Sequence, residues 1–127
     1  MELDRFEKYV TEAVGEVPAE LRDKIKNLAF VVEDAMRMPR AQEHGIKSRG
    51  ILLGLYQGVP LPKRSVNYGS VLPDKITIFK QPIERMAGSN ENNLIKLIKE
   101  VVHHEIAHYL GMDETKVRSW ERQRKNN

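Results

Sequence analysis

His104-Glu105-Ile106-Ala107-His108 is the part of this chain whose residue types and spacing can do chemistry. Two imidazoles four residues apart on a helix share one face, one turn above the other. Both ring nitrogens can then reach a single metal ion, and Zn²⁺ is the usual occupant of such a pair. A glutamate directly after the first histidine stands beside the ion's open position, where it can take a proton from water. His104 and His108 are therefore candidate metal ligands, and Glu105 is the candidate general base.

A hydrolytic zinc site needs a third protein ligand. After His108 the chain reads Tyr109-Leu110-Gly111-Met112-Asp113-Glu114. Gly111 tolerates positive φ, so the helix is expected to stop there and the chain to turn back toward the metal. Glu114 is the first candidate for the third ligand and Asp113 the second, with His44 and Glu121 behind them. Each of the two leading candidates also has a structural role open to it. Asp113 would cap a final helix over 114–124, and Glu114 would sit in its first turn, where the helix dipole favours a carboxylate.

The elements that must hold these residues follow from periodicity. On a helical wheel at about 100° per residue, Leu94, Leu97, Ile98, Val101, Val102 and Tyr109 form an apolar stripe, with Ile95 and Ile106 at its margin. Lys96, Lys99, Glu100 and His103 fall opposite, so His103 is expected to face solvent. His104 and His108 lie at one flank of the stripe and Glu105 just inside it, backed by the core yet open to a cleft. Ser89 and Asn90 are both candidate N-caps.

Upstream, Leu3, Phe6, Val10, Ala13, Val14 and Val17 predict a helix over 3–15, and Pro18 opens a second with Leu21, Ile25 and Leu28 on its apolar side. Short β-type runs follow at 28–33, 49–57 and 75–80, separated by loops at 34–49 and from Gly58 to Asp74. Thr77 alternates with apolar neighbours, so 75–80 is expected to be a partly exposed edge strand along which a peptide could pair. The pattern predicts a single α+β domain over 1–127, with a three-stranded sheet covered on one face by helices.

Composition sets the outer limits. The chain has no cysteine, which excludes disulfides, Cys-rich zinc fingers and thiol catalysis. No stretch approaches the ~20 apolar residues of a membrane span, and the charged start lacks a signal-peptide core. A cytoplasmic protein is the expectation. The net charge of +3 and pI near 9.2 come largely from Lys116, Arg118, Arg122, Arg124 and Lys125. A basic terminal helix of this kind is usually a solvated face, though nucleic acid is a conceivable partner.

The stretch from His104 to Glu114 resembles the H-E-x-x-H-x-x-G-x-x-D/E signature of metzincin-type peptidases. More closely, the chain resembles the small bacterial zincin-like metallopeptidases. Leu53-Gly54-Leu55-Tyr56-Gln57-Gly58 is similar to their glycine-flanked strand and turn, and Leu72-Pro73-Asp74 through Phe79 to a further strand. The resemblance implies a minimal zincin-like fold, zinc held by His104, His108 and Glu114, and peptide or protein substrates. Full-size metzincins carry a methionine turn beneath the metal, and the residues after Glu114 are expected to be too few for one. Met112 is then a core filler, and Tyr56 or Tyr68 could donate to an oxyanion.

Two rival readings are distinguishable. The bacterial endoribonuclease that matures ribosomal RNA has a similar histidine spacing, but it lacks the motif glutamate and has a third histidine where this chain has Glu114. A non-catalytic, zinc-stabilised interaction module would use Glu105 as a partner for a histidine and residues 116–125 as its contact surface.

Overall fold

The description below covers residues 1–35, 47–48, 51–58, 74–112, 115 and 119 of a computed structural model of the chain. The expected α+β architecture is present: helices packed on a small three-stranded mixed sheet. Helix α1 spans Leu3–Gly15 and turns Phe6, Val10 and Ala13 inward, as its apolar spacing requires. Leu3, at the helix start, is exposed instead.

The second helix is shorter than its apolar spacing suggests. Only Ala19–Arg22 (α2) is helical, with Pro18 as the N-cap. The chain then turns, and Asn27 takes a left-handed conformation (φ 57°), one that asparagine adopts more readily than most residues. Strand β1, Leu28–Glu33, begins directly after it.

The run expected as one strand over 49–57 is divided. Lys47–Ser48 (β2) pairs antiparallel with Ile51–Leu52 (β3), and Gly54–Gln57 (β4) joins the main sheet. The remaining strand, β5, is Asp74–Phe79. The sheet order is β1-β5-β4, with β1 parallel and β4 antiparallel to β5.

This order corrects the edge-strand expectation. β5 is the central strand, paired on both sides, and Thr77 is buried. A peptide cannot add to it; among the described residues the edge strands of this sheet are β1 and β4. Central placement also explains the burial of every β5 side chain from Ile76 to Phe79.

Lys80 does not extend the strand but opens helix α3, Lys80–Ala87. Pro82 suggests a break at that point, yet in a first helical turn its missing N–H removes no intrahelical bond. Helix α4, Glu91–Tyr109, runs against α1, α3 and the face of the sheet formed by β4 and β5. Phe6, Val10, Ile76, Ile78, Ile83, Ile98, Val101, Val102 and Ile106 form the core between these layers. The opposite sheet face is buried as well, at Leu55, Thr77 and Phe79. Among the described residues no helix is long and apolar enough to cross a membrane.

Candidate metal centre

Helix α4 positions the motif and is closed chemically at both ends. Asn90, one of the two expected caps, accepts a hydrogen bond from the Asn93 N–H through its side-chain oxygen (3.1 Å). At the other end Gly111 adopts φ 78°. Its N–H donates to the His108 carbonyl (3.0 Å) and the Met112 N–H to that of Ala107 (3.0 Å). This paired arrangement is a Schellman stop, which satisfies the last carbonyls and lets the chain leave the helix axis.

The first turns of the helix carry exposed residues, and the last turns are packed more tightly. Every residue from Val101 to Tyr109 is buried except His104 and His108, which are partly exposed. Their rings lie with centroids 4.9 Å apart and are tilted by 58°. One ligand atom each from His104, Glu105 and His108 can be chosen so that all lie within 4.8 Å of one another. The three side chains sit where the wheel puts them: histidines at the flank, glutamate inside.

His103 does not. It is 1% exposed, and its Nε2 donates to the main-chain carbonyl of Ala13 on α1 (2.7 Å). The polar neighbours Lys96, Lys99 and Glu100 mark a solvated side only for the first turns of α4; α1 covers that side further along. The bond ties the two helices one residue away from the first candidate ligand.

The floor of the site is built by contacts of Gly54, Tyr56 and Tyr109 that local sequence does not foretell. Gly54 on β4 lies so close to α4 that a Cβ there would fall 2.6 Å from Val101 Cγ1 and 3.3 Å from Glu105 Cγ. Next to His108, Tyr109 donates from its hydroxyl to the Lys26 carbonyl (2.8 Å) and accepts from the Lys26 N–H (3.2 Å), pinning the turn before β1. Its ring meets Tyr56 edge to face with centroids 5.9 Å apart. The Tyr56 hydroxyl donates to Oδ2 of the buried Asp74 (2.5 Å) at the start of β5. The glycine-flanked segment and the aspartate that opens β5 signal these contacts in the sequence, but only once the two strands are known to be neighbours.

The donor set fits a zinc ion. Two partly exposed imidazoles one helical turn apart offer the nitrogen donors that Zn²⁺ prefers, and a buried carboxylate stands beside them. A cation also suits the buried Glu105, since nearby opposite charge offsets the cost of burying a carboxylate. Asp113, Glu114, His44 and Glu121, the candidates for a further ligand, lie outside the described residues, as do Tyr68 and most of the basic C-terminal stretch.

No curated protein matches the chain. A sequence model of the zincin-like metallopeptidases does, over residues 25–124, a span that includes all three strands of the main sheet, α3, α4 and the whole H-E-x-x-H-x-x-G-x-x-E run. With that match and a His-Glu-His group on a capped helix beneath a mixed sheet, the chain belongs to the zincin-like metallopeptidase family.

Proposed function

We propose that this protein is a zinc-dependent peptidase, with zinc held by His104, His108 and Glu114. One observation carries the reading: over 101–109 the helix is buried except at the two candidate ligands, and Glu105 lies buried between them. A purely structural helix has no need to keep two histidines open while burying a carboxylate beside them.

Zinc bound there supplies a Lewis acid that polarises a carbonyl and makes water a stronger acid. The rest falls to the chain's own groups. The carboxylate of Glu105 takes the proton of the attacking water as its oxygen bonds to the scissile carbonyl carbon. The same carboxylate passes that proton to the amide nitrogen as the C–N bond breaks, releasing an acid and an amine. An extended peptide is held along the outer edge of β4 by main-chain hydrogen bonds, which orient it without demanding a particular sequence. His103 and Tyr109, anchored to α1 and to the turn before β1, keep the helix from shifting under the substrate.

The test is Glu105→Gln in the full chain. The variant should bind zinc like the wild type and cleave a quenched-fluorescence peptide library about 10²–10⁴-fold more slowly. Unchanged hydrolysis, or cleavage of RNA but of no peptide by the zinc-loaded wild type, would overturn the proposal.

A further inference from the structure

Gly54 has no conformational reason to be glycine. It opens strand β4 and is absent from the positive-φ glycines of the described chain, which are Gly58, Gly88 and Gly111. Its reason is space. A Cβ would be wedged between helix and sheet, 2.6 Å from Val101 Cγ1, 3.3 Å from Glu105 Cγ and 3.5 Å from the carbonyl oxygen of Thr77. The first distance is one that real Cβ atoms essentially never show, and the second is tighter than ordinary van der Waals contact, so the Glu105 stem would have to give.

The same residue faces outward through its backbone. The Phe79 N–H donates to the Leu53 carbonyl (3.0 Å), which makes the Leu53–Phe79 position a hydrogen-bonded pair. In an antiparallel ladder such pairs alternate with non-hydrogen-bonded ones, so Gly54, opposite Ile78, directs its N–H and C=O away from β5. Gly54 therefore has its main-chain groups along the outer sheet edge and its bare Cα against the stem of Glu105.

We propose that Gly54 is a positioning residue for catalysis: its missing side chain sets the distance between a peptide held on the outer edge of β4 and the carboxylate of Glu105. The inference rests on the peptidase reading above. Any side chain at this position displaces Val101 and presses on Glu105, moving strand and helix apart or swinging the carboxylate aside. Either displacement separates the base from a substrate bound through the strand, and small misplacements of reacting groups cost rate steeply.

The experiment uses full-length Gly54→Ala, Val101→Ala and the double variant. It measures zinc affinity by chelator competition, thermal midpoints, and kcat and KM on a peptide that the wild type cleaves. In Gly54→Ala, kcat should fall by about tenfold or more while KM and zinc affinity stay within about threefold. Val101→Ala alone should lower the midpoint with little effect on kcat. The double variant removes the 2.6 Å conflict and should recover a midpoint near that of Val101→Ala, but the contact with Glu105 remains, so kcat should stay low.

Wild-type kcat in Gly54→Ala, or in a double variant that regains kcat, would show that the glycine serves packing alone and overturn the proposal. A loss of zinc affinity parallel to kcat would overturn it too, by placing the effect on the histidines. If Gly54→Ala does not fold, the double variant against Val101→Ala decides. A zinc-loaded wild type that cleaves no peptide is a separate result: it removes the peptidase reading and this inference with it.

Discussion

The imidazole of His103 and the carbonyl of Ala13 are joined by a 2.7 Å hydrogen bond buried between α4 and α1. Because a carbonyl can only accept, Nε2 carries the proton. The bond spans ninety positions of sequence and ends next to His104, so it fixes where the metal-site helix sits against the N-terminal one. Replacing His103 with alanine removes the bond and leaves a cavity at a fully packed position. The expected loss is about 2–4 kcal/mol of unfolding free energy, whereas a solvent-facing histidine would cost about 0.5 kcal/mol or less. Urea denaturation distinguishes the two, and zinc binding by the folded fraction should persist.

His103 also shows where reading a single element stops. The periodicity of α4, its Asn90 cap and its Gly111 stop are properties of local sequence, and the helix forms as they dictate. So does the flank position of His104 and His108, because the apolar stripe defines the packed side by itself. The contact with Ala13 is different: α1 covers a sector that α4's own polar residues mark as solvated. The central place of β5 is hidden for a similar reason. Its pairing with β1 is parallel and joins residues far apart in the chain, while Thr77 gives it the alternation of an edge strand. Gly54 is a letter in a family-like motif, but its meaning depends on a helix that begins well downstream.

Gly58 and Gly88 provide a controlled pair. Both have positive φ, at 152° and 73°, so alanine is strained at each by about 1–2 kcal/mol. At Gly88 nothing lies within 4 Å of the added carbon. At Gly58 it would fall 2.3 Å from Cγ of Asp74, displacing the buried carboxylate that accepts from Tyr56. Gly58→Ala should therefore destabilise by at least about 2 kcal/mol more than Gly88→Ala, since a buried hydrogen-bonded carboxylate is disturbed in addition. Equal denaturation midpoints for the two variants would contradict the described turn.

Glu84 predicts a modest acid dependence. Burial pushes its carboxyl pKa up, but the hydrogen bond and charge of Lys80, together with the N-terminal ammonium, outweigh this and hold it below its ordinary 4.5. A folded pKa below the unfolded one means that the carboxylate stabilises the fold above the unfolded value, and that this contribution fades as pH falls through the folded value. The stability difference between wild type and Glu84→Gln should be constant at neutral pH and shrink to nothing in strong acid. The carboxylate is partly solvated, so the plateau should stay below about 1 kcal/mol. A gap that widened on acidification would reverse the assignment.

Zinc itself should stabilise the protein, since an ion that binds the folded chain and not the unfolded one adds free energy by mass action. At a free concentration of about 100 times Kd the gain is about 2.7 kcal/mol, removable by chelator. His104→Ala and His108→Ala should each abolish the zinc-dependent rise in the unfolding midpoint, because one imidazole and a carboxylate make a poor site. Glu105→Gln should keep most of it, as expected for a base and not a ligand. The acidic member is decided by comparing Glu114→Ala with Asp113→Ala. Loss of a ligand should weaken zinc binding by about 100-fold or more, beyond the 10–100-fold typical of residues that only support ligands. Glu114→Ala is expected to show that loss and Asp113→Ala to lose at most helix stability. The opposite result, read by calorimetric titration of zinc into each variant, would move the third ligand to Asp113.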